Sequence, residues 1–218
     1  MTRPSILIAI SGGSGSGKTT LATALANRLG QANCLVISED DYYRGQPEGV
    51  AFDPDRFNFD DMGAKEMDLL GRHLEQLRDG QVVERPKYDL RTHKRLPQTV
   101  AMAPAAFIIV EGIHCLSTDY AAMFDLRIYV DTPDDIRLAR RVLRDISQRG
   151  RPVEEVVNRY VEFVRPAHYS FTEPGRAGAH VIVRDESFSI AHSELDALNA
   201  MDALLGPAMA RLEALRLG

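Results

Sequence analysis

The sequence is poor in cysteine, with Cys34 and Cys115 alone in 218 residues. Two such residues make neither a disulfide framework nor a metal-ligand pattern, which excludes a small disulfide-stapled fold and fits two reduced thiols in a cytoplasmic protein. Positive charge is not in excess either. The 26 Lys and Arg against 31 Asp and Glu leave a net charge of −5, which argues against a nucleic-acid coat or a membrane-surface binder. No apolar run is long enough to span a bilayer, and the run after Met1-Thr2-Arg3-Pro4 is too short for a signal peptide. Internal repeats, low-complexity tracts and linkers are also missing, so one domain over residues 1–218 is expected, with neither nucleic acid nor membrane as a partner. Apolar residues at 44% and charged residues at 26% suit a soluble chain with one good core.

What is present is dominated by Gly12-Gly13-Ser14-Gly15-Ser16-Gly17-Lys18-Thr19, which fits the phosphate-loop template G-x-x-x-x-G-K-[ST]. It lies between an apolar β-branched run (Ile6, Leu7, Ile8, Ala9, Ile10) and a segment with apolar residues at helical spacing (Leu21, Ala22, Leu25, Ala26, Leu29), ended by Gly30. Small residues let such a loop curl until its main-chain N–H groups surround a polyphosphate. Lys18 supplies a cation for the outer phosphates and Thr19 a hydroxyl for Mg²⁺. The helix that starts there and runs on through Thr20 turns its positive end to the same anion. A flexible linker would not sit between a buried strand and an amphipathic helix. The chain therefore binds a nucleoside triphosphate.

Further along, Cys34 to Ile37 predicts a strand that delivers Ser38-Glu39-Asp40-Asp41-Tyr42-Tyr43-Arg44 to the edge where α/β sheets bind ligands. A carboxylate there could take a proton from an attacking hydroxyl, or Asp40 and Asp41 could form a solvated loop with a helix cap. Gly45 to Asp61 is polar and aperiodic, a loop. Met67, Leu70, Leu74 and Leu77 predict a core-facing helix stopped by Gly80. Val82-Val83 and Thr99-Val100 bracket a basic stretch and predict a hairpin-like flap over about 82–102. Phe107 to Val110 predicts a buried strand closed by Glu111, either an ordinary acidic strand end or the carboxylate that orients Mg²⁺ beside a phosphate loop. Leu126 to Val130 is another strand.

Thr132-Pro133-Asp134-Asp135 predicts a helix start, with Thr132 as N-cap and Pro133 at the first helical position. Arg137, Arg141 and Arg144 fall on one face of that helix. A solvated basic face is one reading. With Arg140, Arg149 and Arg151 nearby, phosphate oxygens explain so much guanidinium charge better. Pro152 opens a further helix with Val153, Val156, Val157, Tyr160, Val161 and Val164 on its apolar side. Val181 to Val183 is a last strand, and Leu195 to Leu215 a closing amphipathic helix interrupted at Pro207. The expected architecture is α/β, a P-loop NTPase-type three-layer fold with a mostly parallel central sheet, a small β flap and an Arg-rich helical lid over about 140–170.

Together these segments resemble the uridine kinase (uridine-cytidine kinase) family, within the group that includes phosphoribulokinase and type I pantothenate kinase. The resemblance covers about residues 5 to 185. Besides the phosphate loop it rests on Glu39-Asp40-Asp41-Tyr42-Tyr43, Asn58-Phe59-Asp60, Pro86-Lys87-Tyr88-Asp89, His93, Val110-Glu111-Gly112-Ile113, and Arg140-Arg141-Val142-Leu143-Arg144-Asp145-Ile146-Ser147-Gln148-Arg149-Gly150-Arg151, followed by Tyr160, Pro166 and Pro174. It implies an ATP-dependent, Mg²⁺-requiring kinase that phosphorylates the 5′-hydroxyl of uridine or cytidine. In that family's pattern Asp40 is the general base, with Lys18 and Arg144 beside it in catalysis. Phe59 and Asp60 cover the nucleoside and hold its ribose hydroxyls. Tyr88 and His93 read the pyrimidine edge. Arg141 lies on the sugar side with Ile113, Arg159 and Tyr160. Arg144, Arg149 and Arg151 are the lid arginines around phosphates and substrate, and Glu111 joins Thr19 at the Mg²⁺.

The chain also departs from the pattern. Asp61-Met62 follows Asp60 where His-Pro is usual, Leu90 stands where an aromatic residue commonly packs on the base, Arg159 replaces Gln, and His180 replaces Asp. These changes leave the phosphate chemistry intact and motivate a second reading, the same transfer to another nucleoside, a sugar phosphate or a pantothenate-like alcohol. A nucleotide switch or binding module is a third, but the guanine-reading string Asn-Lys-x-Asp does not occur. The amphipathic C-terminal segment could make a homo-oligomer contact or pack on its own sheet.

Overall fold

Strand β1 (Ile6–Gly12) is almost wholly buried, because the sheet it centres is covered on both faces. The computed structural model describes residues 5–45, 53, 56–117, 119–186 and 194–217. The segment 1–4 and most of the loop over 45–61 lie outside that set. Among the described residues the main sheet is five-stranded, ordered β2 (Cys34–Ser38), β5 (Phe107–Gly112), β1, β6 (Leu126–Asp131) and β7 (Val181–Arg184). Every pairing in it is parallel. Alternation sends Ile8 and Ile10 to one face, where α1 (Lys18–Leu29), α6 (Glu194–Asp202) and α7 (Gly206–Leu217) pack. Leu7 and Ala9 go to the other, against α2 (Met67–Arg78). This is the expected three-layer α/β architecture. Cys34 and Cys115 are both free thiols, and no helix among the described residues is long and apolar enough to cross a membrane.

The flap is a two-stranded antiparallel hairpin, β3 (Val83–Asp89) with β4 (Lys94–Met102). Val83 and Met102 root it in the core under α2. The α2 stripe is buried as its spacing predicts, and Leu21, Ala22, Leu25 and Ala26 are buried on α1. Gly30 has positive φ but an extended ψ, 88° and 115°, so α1 ends without the left-handed helical cap.

Several local expectations are corrected. Helix α3 (Asp134–Arg149) begins after Pro133, and the Thr132 hydroxyl donates instead to the Ser16 carbonyl at 3.2 Å, tying the helix entry to the phosphate loop. Arg137 does not join Arg141 and Arg144 at a phosphate-facing surface. It is 1% exposed, packed against Gly13, paired with Asp134, and donates to the Thr132 carbonyl at 3.2 Å. The next helix is not one regular α-helix. Helix α4 (Val153–Arg159) widens into a π turn at Tyr160–Val164, α5 (Arg165–Ala167) follows, and a second π turn spans His168–Thr172. Pro166 and Pro174 come just after residues whose N–H reaches five residues back, Arg165 to Tyr160 and Glu173 to His168. The wider turns relieve the clash a proline ring makes with the carbonyl four residues earlier. Of the expected apolar side, Val156, Tyr160 and Val164 are buried at a spacing of four, while Val153 and Val161 are exposed. The closing helix is two helices. It breaks at 203–205, which leaves Pro207 in the first turn of α7, where its missing N–H costs nothing.

Candidate active site

Sheet register brings the chemistry to one edge. Glu111 lies between Ile10 of β1 and Ser38 of β2, level with the start of the phosphate loop. Gly17, the residue before α1, has φ of 90°, a left-handed conformation that glycine adopts without strain. The helix then begins at Lys18 with its N–H groups directed at the loop. Thr19 donates to Glu111 Oε2 at 3.1 Å and Ser38 donates to Oε1 at 2.7 Å, so the predicted pair Thr19 and Glu111 do meet. Burial raises the Glu111 pKa against the pull of Lys18. The hydroxyl and carboxylate are hard oxygen donors of the kind Mg²⁺ accepts alongside phosphate oxygens and water. Among the described residues no group of three or more His, Cys, Asp or Glu could hold a metal ion by itself.

Asp40 sits in a short 3₁₀ turn (Glu39–Tyr42) after β2, started by the Ser38 hydroxyl accepting from Asp40 N–H at 3.3 Å. Glu39 turns inward and is fully buried, whereas the Asp40 side chain keeps 45% of its surface. Burial disfavours the Asp40 charge, but the Lys65 ammonium at 2.8 Å outweighs it, with Lys18 and Arg149 adding to the effect, and brings the pKa down to about 2. Asp40 is therefore ionised throughout the neutral range.

One cleft of about 110 Å³ gathers Ser14, Lys18, Thr19, Asp40, Phe59, Asp60, His93, Glu111, Ile113, Arg141, Arg144, Arg149, Arg151 and Arg159, nearly all of the predicted catalytic and acceptor-side residues, together with Tyr43 and Leu90. A neighbouring cavity of about 430 Å³ is lined by Gly15, Gly17, Lys18, Thr19, Thr20, Arg140 and Arg144, and also by Asp185, Ala197, Ala200 and Met201, which sequence reasoning missed. Phosphate-loop residues line both spaces, and Arg144 reaches both. Gly12, Gly13 and Ser16 line neither; Gly13 backs onto Arg137 and Ser16 is buried. Tyr88 and Tyr160 also stay out. Tyr88 packs on the Tyr43 ring at 5.0 Å, and Tyr160 is 2% exposed with its hydroxyl donating to the Asp134 carbonyl at 3.2 Å.

The arginines are braced by a residue the motif contained but the site reading passed over. Asp145 is 1% exposed and lies 2.9 Å from Arg144, 3.4 Å from Arg149 and 3.6 Å from Arg141. Arg141 also donates to Ser14 Oγ at 2.7 Å, which links the lid helix to the loop. Arg140 pairs with Asp185 at 2.8 Å on the far side. The spacing of Asp145 from Arg141 and Arg149, four residues either way, was the available signal.

At the other end of the cleft His93 occupies the flap turn with φ of 55°, a left-handed conformation uncommon outside glycine. Asp89 holds that turn by accepting from Arg91 N–H at 2.9 Å and the Thr92 hydroxyl at 2.8 Å. The His93 ring stacks on Phe59 with centroids 4.6 Å apart, and Arg151 approaches its Nε2 at 3.1 Å. Arginine can only donate, so Nε2 is the acceptor and the ring proton resides on Nδ1. Of the four departures from the family pattern, Leu90 and Arg159 enter the cleft. Asp61 instead accepts from Gly63 N–H at 2.8 Å in a turn, and His180 contacts Arg127.

Residues 7–188 match the model of the Phosphoribulokinase / Uridine kinase family. The chain is 40% identical over 184 residues to a uridine kinase of Clostridium perfringens, covering 84% of this chain and 88% of that one. It is 41% identical over 184 residues to a uridine kinase of Clostridium botulinum, covering 84% and 89%. Among solved structures it is similar to a putative fructose transport system kinase from a Silicibacter species, with a TM-score of 0.67, 21% identity, and 83% and 90% of the two chains covered, a likeness of fold.

Proposed function

The chain belongs to the phosphoribulokinase/uridine kinase family, and from that membership we propose that it transfers the γ-phosphoryl group of ATP to the 5′-hydroxyl of uridine or cytidine. The observation that carries the reading is the cleft that brings the ionised Asp40 carboxylate together with Lys18, Arg141, Arg144 and Arg149 and with Phe59, Asp60 and His93. Phosphoryl transfer needs a nucleophile held in line and the charge of the moving group neutralised, and these two groups of residues supply those two needs.

The triphosphate lies along the loop from Gly12 to Thr20, with the donor base in the cavity lined by Arg140, Asp185 and Met201. Thr19 and Glu111 would hold Mg²⁺, which would supply positive charge to offset that of the phosphates. Asp40 accepts the hydrogen bond of the acceptor hydroxyl and takes its proton as the bond to phosphorus forms. The carboxylate is ionised and so able to accept that proton, and its rate contribution depends on how it is oriented. Arg144 and its neighbours follow the charge on the transferred group, and their closure keeps water from competing for it. Asp60 receives the ribose hydroxyls, Phe59 covers the sugar, and His93, stacked on Phe59, lines the wall that reads the base edge. Tyr88 supports this wall through Tyr43.

Comparing uridine with 5′-deoxyuridine tests the assignment. Uridine gives the 5′-monophosphate, while the deoxy compound inhibits competitively and stimulates no ADP release. Phosphorylation of 5′-deoxyuridine, or a uridine product phosphorylated elsewhere on the ribose, would contradict it.

A further inference from the structure

Lys65 carries no motif, yet its side chain is 0% exposed and its ammonium lies against two carboxylates, Glu39 Oε1 at 2.6 Å and Asp40 Oδ1 at 2.8 Å. A fully buried lysine is rare unless paired. Here the pairing is unequal. Glu39 is as buried as the lysine and is itself fixed, its other oxygen accepting from His114 N–H at 2.8 Å. Asp40 faces the cleft. Backbone contacts hold Lys65 in register with the same turn: it bridges Tyr43, Glu66 N–H donates to the Tyr42 carbonyl at 2.8 Å, and Arg44 N–H to the Ala64 carbonyl at 2.9 Å. The ammonium also lies 4.6 Å over the Tyr43 ring. Asp40 and Glu39 outweigh the burial that opposes its charge, so Lys65 remains an ammonium.

We propose that Lys65 is a positioning residue of the transfer step: anchored by Glu39, its ammonium clamps one oxygen of Asp40 and thereby aims the other at the acceptor hydroxyl. This rests on the reading of Asp40 given above. Lys65 lines neither the cleft that holds Asp40 nor the neighbouring cavity. A free aspartate at the rim of a cleft samples several rotamers, and only some of them present a lone pair along the line of attack. A fixed cation on Oδ1 removes the others before the acceptor arrives, and small misplacements of a reacting pair are costly in rate.

The test is steady-state kinetics on wild type, Lys65→Met, Asp40→Asn and the double variant, using whichever acceptor the wild type phosphorylates. Lys65→Met lowers kcat by about 10- to 100-fold with the KM for ATP changed less than about two-fold. In the Asp40→Asn background the same substitution costs less than about two-fold, because its effect passes through Asp40. A lysine that only supports the fold would depress both backgrounds equally, and that result, or a wild-type kcat for Lys65→Met, overturns the proposal. If loss of Lys65 alone leaves Glu39 buried without a partner and the variant fails to fold, the pair Glu39→Gln with Lys65→Met removes both buried charges. It shows the same loss of kcat, and a wild-type kcat would again overturn the proposal. The two readings separate cleanly. Asp40→Asn at the wild-type rate removes the role of Asp40 and this proposal with it, whereas a slow Asp40→Asn beside a fast Lys65→Met removes only the latter.

Discussion

His168 lies in the second π turn at 8% exposure, with Arg137 and Glu173 around it and Glu173 Oε2 3.6 Å from its Nε2. Burial first, and then the Arg137 guanidinium, depress its pKa to about 4, although Glu173, Asp134 and Asp131 pull the other way. The unfolded chain takes up a proton on this ring near pH 6.5 and the folded chain does not, so its stability is fully present above that pH. It is lost as pH falls towards 4, by at most about 3 kcal/mol. Replacing His168 with Phe, a ring of similar size that does not titrate, should flatten the fall in thermal midpoint between pH 6.5 and 4. An unchanged slope would mean other groups carry it. Asp40 behaves in the same sense at lower pH, since its depressed pKa means that its contribution is lost only as pH falls from about 4 through about 2. Neither residue's environment was legible in the sequence. Spacing reports which face of an element a side chain occupies, whereas Lys65 beside Asp40 and Arg137 beside His168 are meetings of elements distant in the chain.

Among the elements, α3 was the most legible and also the most misjudged. Its acidic first turn and run of arginines were plain, but five arginines on a helix at the sheet's carboxyl edge divide among three tasks. Arg137 is packed under the loop, Arg140 reaches Asp185 beside the larger cavity, and Arg141, Arg144 and Arg149 converge on Asp145. Periodicity does not distinguish these, because the loop against which the helix packs decides them. The π turns escaped for a related reason, since prolines in a helical pattern announce a break but not the wider turn that avoids one. The bracing on Asp145 bears on function. Arg144 lines both the cavity proposed for the donor and the cleft proposed for the acceptor, so Arg144→Ala should lower kcat by about 10²-fold while weakening ATP binding only a few-fold, as read by turnover and by nucleotide titration. Equal losses in the two would reduce Arg144 to a nucleotide ligand.

For the molecule as a whole, the strand order carries the design. Crossing the chain back and forth puts the ends of β1, β2 and β5 side by side, so that Thr19, Ser38, Asp40 and Glu111, far apart in sequence, share one edge, while the flap and the lid helices close over it. The buried strands and the phosphate loop were readable because continuous apolar runs and a glycine-rich turn leave few alternatives. The acceptor side was less so. It is assembled from single residues of the flap (Leu90, His93), the loop before α2 (Phe59, Asp60) and the lid (Arg151, Arg159), each placed by long-range packing. The central claim, a kinase acting on a pyrimidine nucleoside, is therefore tested most directly at that side. ADP release from ATP and Mg²⁺ is measured with uridine, cytidine, purine nucleosides, pantothenate and ribulose 5-phosphate as separate acceptors, against a blank without acceptor. Turnover on uridine or cytidine well above the blank, and above every other alcohol, is the predicted result. Silence on both pyrimidine nucleosides with turnover on another acceptor would contradict it.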